Sequence, residues 1–447
     1  RGDFPAALET AKAALDSFED EEAFEEDRES KAELSSLLTK IAEELAKEAE
    51  QSTDPEEIKQ RLAQTRAVIG LTANTKYVPA SLVLKDRLEP VLETIERVER
   101  QQQRNVDLAA TLKEIDAAIA DGDPARGYEA RKLLLKEYAT LRDDPSLRAK
   151  VLEISAVEQA AVKFVELKQA AEAGSGDDSI QSTVPLAAPS GGTSPDAGWA
   201  PIRVDGALYG IDVKTGNVGW RHFAGYAPGN WPLVSEERVF ATTGPAGEIF
   251  CLQADTGRVL WRQTVADQLA APVALEDQLL IAGASGKLYI VGREEGELRG
   301  AVEFSQPLPT PPAVSSRAGR IYVTGEHSTL YALSADDFSC IGAYYRGHAP
   351  QSIQAPPVVV SNKVAVAENS GAETSSLTVL SLDENGVPTA VAADRRLKGL
   401  ITTPLATQAR RIAAVTSQGQ ASVFEVGPGE GDSALVDIAA RSGKLSE

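Results

Sequence analysis

The sequence predicts an α plus all-β multidomain protein: an acidic α-helical domain over residues 1–172, a flexible linker at 173–180, and a β-propeller of four-stranded blades over 181–447. Three observations predict it. Apolar residues recur at helical spacing in the first part of the chain and alternate in the second. The stretch Leu208-Tyr209-Gly210-Ile211-Asp212-Val213-Lys214-Thr215-Gly216-Asn217-Val218-Gly219-Trp220 returns at 249–261, displaced by 41 positions, and then decays through four weaker copies. A Pro followed by apolar residues opens each copy, at Pro185, Pro232, Pro272, Pro312, Pro357 and Pro404. Pro suits the first residue of an edge strand, where no ladder donor is needed.

In the helical region, Phe4, Ala7, Leu8, Ala11, Ala14 and Leu15 mark a first helix, and Leu34, Leu37, Leu38, Ile41 and Leu45 mark an acidic amphipathic second. Ser52-Thr53-Asp54-Pro55-Glu56-Glu57 starts another: a capping side chain, a Pro whose missing N–H does no harm, and carboxylates facing the helix dipole. Pro79-Ala80-Ser81 introduces a helix to about Gln102, Asp107 begins the next, and Asp144-Pro145-Ser146 caps one running to about Ala171. The fragments Gly2-Asp3-Phe4-Pro5-Ala6 and Gly122-Asp123-Pro124-Ala125 resemble the small-residue opening of a tetratricopeptide helix. The region therefore reads as such repeats or as an irregular acidic bundle, and in either case as an interaction surface. Ala173-Gly174-Ser175-Gly176-Asp177-Asp178-Ser179 is a linker by composition.

Beyond it the aromatic position of the repeat runs Tyr209, Phe250, Tyr289, Tyr331, Thr378 and Ser422, in steps of 41, 39, 42, 47 and 44, which makes six units. Another strand lies between the Pro and the aromatic, as in Gln278–Ala282 and Arg320–Thr324, so each unit holds four short strands. Such sheets cannot bury both faces alone, whereas radial packing lets each cover the next. The Thr-Gly turn supplies the positive φ of the last hairpin. Tyr209, Phe250, Tyr289 and Tyr331 are expected to pack between blades, with Trp220 and Trp261 filling the gap between neighbours. Six units leave two outcomes, a six-bladed propeller or a chain that stops before the last blades.

The pattern Leu-Tyr-x-x-Asp-x-x-Thr-Gly-x-x-x-Trp, complete at 208–220 and nearly so at 249–261, resembles the repeat of pyrroloquinoline-quinone-type β-propellers. That group includes quinoprotein alcohol dehydrogenases and the non-enzymatic outer-membrane assembly lipoprotein BamB, to which the chain is closest in kind. The resemblance implies a non-enzymatic interaction scaffold of the bacterial cell envelope, periplasmic, with protein partners, no cofactor, and any membrane anchor on a segment ahead of Arg1. Its alternatives are a quinone- and Ca²⁺-dependent dehydrogenase, or a degenerate relative of one, and a sensor ectodomain. The enzyme would imply a disulfide between adjacent cysteines beneath the quinone, oxygen ligands for Ca²⁺ and an Asp base. The sequence departs from this, because Cys251 and Cys340 lie 89 residues apart and no calcium-loop acidic cluster stands out. Asp212 and Asp383 sit at turn positions where a carboxylate caps backbone N–H groups. No residue is therefore assigned a catalytic, cofactor-binding or metal-binding role.

The formal charge is −21, with −12 up to Ala173 and −9 beyond, which makes nucleic acid a poor partner. Cys251 and Cys340 lie in strand-like apolar context, as buried free thiols or a cross-blade disulfide. His222, His327 and His348 fall in different units without metal-ligand spacing and read as surface or locally bonded. No run approaches the roughly 18 apolar residues that span a bilayer. The fifth unit differs from the others in its long loop at 347–356 and its polar hairpin at 368–374. Extended loops on one propeller face are where binding usually sits, so His348, Gln351, Glu368 and Asn369 are predicted to form a contact surface.

Overall fold

The computed structural model describes residues 28–75, 77–173, 198–225, 230–243, 246–326 and 329–443, together with Ala6, Glu9, Thr10 and Ala13. Most of the first predicted helix, the linker beyond Ala173, Pro185 and His327 lie outside the described residues.

The helices from residue 28 onward are α1 (Arg28–Gln51), α2 (Pro55–Ala73), α3 (Lys85–Ala120), α4 (Pro124–Glu137) and α5 (Pro145–Ala161). The Asp54 carboxylate accepts from Glu56 N at 3.0 Å and starts α2, with Pro55 in its first turn. Asp144 accepts from Ser146 N at 2.9 Å and Leu147 N at 3.2 Å and starts α5. Two expected boundaries are corrected. The break between Gln102 and Asp107 does not exist, because no Gly or Pro interrupts that run; Asp107 accepts from Gln103 Nε2 and from the Tyr138 hydroxyl instead of capping. Likewise α5 stops at Ala161 and not near Ala171, since β1 (Lys163–Gln169) and β2 (Glu172–Ala173) are strands that join sheets downstream. With lengths of 24, 19, 36, 14 and 17 residues, the helices show no repeating pair.

Six antiparallel sheets follow among the described residues. The first holds β3 (Trp199–Val204), β4 (Ala207–Asp212) and β5 (Val218–Phe223). The second holds β6 (Leu233–Ser235), β7 (Arg238–Thr242), β8 (Glu248–Gln253) and β9 (Val259–Thr264). The third holds β10 (Val273–Leu275), β11 (Gln278–Ala282), β12 (Lys287–Gly292) and β13 (Leu298–Glu303). The fourth holds β14 (Ala313–Ser315), β15 (Arg320–Thr324), β16 (Thr329–Ser334) and β17 (Cys340–Tyr345). The fifth holds β18 (Val358–Val360), β19 (Lys363–Ser370), β20 (Thr374–Leu382) and β21 (Pro388–Lys398). The sixth holds β22 (Ala406–Gln408), β23 (Arg411–Val415), β24 (Gln420–Val426) and β25 (Leu435–Ser442). Each is an up-and-down meander, as a propeller requires, and β2 and β1 add a fifth strand to the outer edges of the second and third.

The chain divides into two compact units, Arg1–Lys113 with Leu134–Ala139, and Glu114–Leu133 with Thr140–Glu447. Helical and sheet regions therefore do not part at 173–180 as expected. The reason lies in the second unit: β1 pairs with β13 from Lys163↔Glu303 onward, and the Phe164 ring lies over Gly300, where a Cβ would collide with it. In the first unit Leu38, Ile41 and Leu45 of α1 pack with Ile58 and Leu62 of α2 and Val91 and Ile95 of α3.

Interfaces between sheets are apolar and repeat. Trp220 is fully buried between the first and second sheets, its ring lies against Gly210 and Gly257, and its indole N–H donates to Ala254 O at 2.7 Å. Trp261 does the same one sheet later, against Gly296 and donating to Arg293 O at 3.2 Å. The turn glycines have φ of 72° (Gly216), 69° (Gly257) and 74° (Gly296), which a side chain would strain. Phe250, Tyr289 and Tyr331 are buried, whereas Tyr209 in the first sheet is partly open. The end sheets keep apolar surface exposed: Ile202 is 42% and Val415 54% exposed, where their repeat counterparts Ala241 and Thr324 are 1% and 0%. Both cysteines are free thiols, Cys251 buried and Cys340 partly so, and burial pushes Cys251 up to about 12.

Candidate contact face

In an up-and-down sheet the turn between second and third strands lies at the same end as the connector that leads into the next sheet. The loop 346–356 and the hairpin at 370–374 therefore share one end of the fourth and fifth sheets, and all four predicted contact residues lie around them. His348 Nε2 meets Gly325 O at 2.8 Å. The Gln351 backbone N–H donates to Glu326 Oε1 at 2.6 Å, and Gln351 itself is exposed with φ +63°. Glu368 pairs with Arg346 at 3.2 Å. Asn369 brackets Ile401, accepting from its N at 2.8 Å and donating to its O at 3.0 Å, while Asn369 N donates to Ser352 O. His348 and Asn369 are thus engaged in tying neighbouring units together. The outward-facing groups are Gln351, Gln354 and the hairpin Gly371-Ala372-Glu373.

Repeat registers explain these roles. The strands β9, β13 and β17 end at Thr264, Glu303 and Tyr345, and the third residue after each is Asp267, Gln306 and His348. Asp267 accepts from Ser285 N at 3.0 Å, from the Ser285 hydroxyl, and from the Tyr289 hydroxyl at 3.1 Å. Gln306 donates to the Tyr331 hydroxyl at 2.7 Å. At the first residue after each strand, Val265 and Phe304 give way to Arg346, and the aromatic partner Tyr331 gives way to Thr378. Phe304 and Tyr331 meet edge to face at 4.9 Å; one interface later Arg346 stands at the Phe304 position and pairs with Glu368. Burial pushes the Arg346 guanidinium down, with Glu368 opposing the shift.

Sequence reasoning missed Glu158. It lies on the buried stripe of α5 with Leu147, Val151, Ile154 and Ser155, and an acidic residue at apolar helical spacing was the available signal. His222, expected at the surface or locally bonded, is buried against Phe250 at 5.1 Å, because it faces the second sheet.

The described residues do not fit a quinone and Ca²⁺ site. The first strands of sheets two to six read Leu-Val-Ser, Val-Ala-Leu, Ala-Val-Ser, Val-Val-Val and Ala-Thr-Gln, without a carboxylate or an aromatic ring. Asp212 accepts from Lys214 N at 2.8 Å and Asp383 from Asn385 N and Val387 N at 2.9 and 2.8 Å, so both carboxylates cap turns. Among the described residues no three His, Cys, Asp or Glu side chains group as a metal site, and no helix is long and apolar enough to cross a membrane.

A family model described as outer membrane protein assembly factor BamB matches residues 204–394 and 245–443, together more than half of the chain. The outer membrane protein assembly factor BamB of Marinobacter adhaerens is 29% identical over 133 residues, covering 29% of this chain and 33% of the relative. The chain thus spans about a third of that relative's length. Among solved structures, BamB from Moraxella catarrhalis is 18% identical with a TM-score of 0.38, over 51% of this chain and 81% of that one. Kluyveromyces lactis Hsv2 is 11% identical with a TM-score of 0.44, over 59% and 87%. Dihydro-heme d1 dehydrogenase NirN is 15% identical with a TM-score of 0.36, over 49% and 47%.

Proposed function

The chain belongs to the family of outer membrane protein assembly factor BamB, and on that premise we propose that it is a non-enzymatic protein-interaction scaffold of the bacterial cell envelope. The face around loop 346–356 presents Gln351 and the Gly371-Ala372-Glu373 hairpin to a protein partner in the periplasm, and the helical unit offers a second surface. One observation carries this reading: the groups with chemical potential on that face, His348, Arg346, Glu368 and Asn369, are bonded to neighbouring sheets or loops. They make the face rigid, and a rigid face binds without a large ordering cost. The quinoprotein reading lacks comparable support: Asp212 and Asp383, the aspartates weighed for it, cap turns.

A photo-crosslinking side chain placed at Gln351 or Glu373 in the envelope is expected to capture a protein, while one at Lys214, on a turn at the opposite end of the first sheet, is not. Equal capture at Lys214, or capture there alone, would count against the face.

A further inference from the structure

The outer edges of sheets two to five are covered unequally. The pairs Phe250↔Arg262, Tyr289↔Ala301, Tyr331↔Ala343 and Thr378↔Asp394 set their fourth strands in register with one another. In sheet two, β2 pairs with Trp261 and Arg262 of β9, and in sheet three, β1 pairs with β13 from Leu298 to Glu303. In sheet four, α5 lies along β17: its Gln159 amide donates to Cys340 O at 3.4 Å, and its Glu158 carboxylate accepts from the Thr329 hydroxyl at 2.6 Å and the Tyr331 hydroxyl at 3.0 Å. In sheet five the corresponding stretch is 391–396 of β21, and among the described residues no strand or helix is added to it.

This edge is built to receive a strand. β21 runs for 11 residues where β9, β13 and β17 have 6, and so it reaches the hairpin at 370–374, with Lys398 opposite Thr374. Gly399 N donates to Glu373 O, which makes those two a hydrogen-bonded pair; the alternation of an antiparallel ladder then turns the N–H and C=O of Asp394, Arg396 and Lys398 away from β20. Lys398 N accordingly donates to Gln420 Oε1 at 3.2 Å, on the far side from β20. The Asp394 carboxylate is engaged by the Thr378 hydroxyl at 2.8 Å, and Arg395 by Asp432 at 2.8 Å. Arg396 and Lys398 are exposed, and among the described residues neither makes an ion pair. Both strands already added to this protein's edges set opposite charges against each other, Lys163 against Glu303 and Glu172 against Arg262. Arg396 stands at the Glu303 position, since Ser376 pairs with it as Lys287 does with Glu303.

We propose that the outer edge of β21 is a β-augmentation site that takes an extended, acidic segment of a partner protein, with an Asp or Glu set against Arg396. The proposal rests on the contact-face reading above and names the chemistry of its partner. Outward backbone groups supply main-chain hydrogen bonds, and cross-strand charge pairing selects the segment. Charges are screened beyond about 8 Å at physiological ionic strength, so the local cations and not the overall charge of −21 set the choice here.

A photo-crosslinking side chain at Val391, 54% exposed on β21, tests this in the full chain in the envelope, with the captured segment sequenced by mass spectrometry. The expected product is a segment of another protein carrying an Asp or Glu about five residues from the crosslink, the spacing of Val391 from Arg396. Capture is expected to fall several-fold in Arg396→Glu, which reverses the charge, and in Arg396→Pro, which removes an outward N–H where an edge strand tolerates Pro. Either variant serves alone should the other fold poorly. The proposal is overturned if the captured segment is a second copy of this chain or lacks the acidic residue, or if capture is unchanged in the variants. Capture from Gln351 or Glu373 but not from Val391 overturns it and leaves the contact face standing, whereas no capture from any of the three overturns both.

Discussion

Replacing Trp220 with Ala is expected to destabilise the first two sheets by about 3–5 kcal/mol, the range for truncating a fully buried large aromatic. The indole is fully buried, and its N–H bond to Ala254 O closes the second sheet onto the first. Gly210 and Gly257 leave no side chain that could collapse into the space. Because each sheet contacts its neighbours only, the loss should appear as early, local unfolding and not as a uniform shift. Hydrogen exchange resolves this: amides of β3 to β9 lose protection while those of β18 to β25 keep theirs. Trp231→Ala, at a site 51% exposed, is the control and should change little. A Trp220→Ala effect below about 1 kcal/mol would mean the indole is not what joins the sheets.

Gly286→Ala carries the second large expectation. Its φ is +85°, and a Cβ there would meet the backbone carbonyls of Gln306 at 2.7 Å and Phe304 at 3.0 Å. Both are backbone atoms, and Phe304 N donates to Gly286 O at 2.8 Å, which ties the two segments together. Left-handed strain costs about 1–3 kcal/mol, and overpacking adds about 1–3 kcal/mol. Gly371→Ala separates the two contributions, because φ is +65° there and nothing lies within 4 Å. Denaturant midpoints should therefore fall far more for Gly286→Ala than for Gly371→Ala. Equal falls would remove the steric part of the argument.

The repeat was legible because its signals are local. Thr-Gly turns, a Pro ahead of each unit and an aromatic every 39 to 42 residues through the first four units are written in contiguous sequence. The caps at Asp54 and Asp144 were legible for the same reason. What escaped was tertiary. Lys163-Phe164-Val165-Glu166-Leu167 continues an apolar helical stripe as plausibly as it alternates, and only the open edge of β13 decides for a strand. Asp107 reads as a cap until Tyr138 is brought to it. At the candidate face, sequence reasoning located the unusual unit but not the duties of its side chains. His348 and Asn369 look available in sequence and are engaged by Gly325 and Ile401 in the fold. Glu158 belongs to a helix well ahead of the sheets it enters, so no spacing within the repeat could reveal it.

The central claim, that this propeller serves binding and not quinone chemistry, is tested most directly by thermal unfolding with pyrroloquinoline quinone and Ca²⁺. A ligand at 100 times its Kd stabilises the folded state by about 2.7 kcal/mol. The turn-capping carboxylates and the uncharged first strands predict no shift in Tm and no dye reduction with alcohols. A saturable rise in Tm that requires both quinone and Ca²⁺, accompanied by alcohol-dependent dye reduction, would contradict the account.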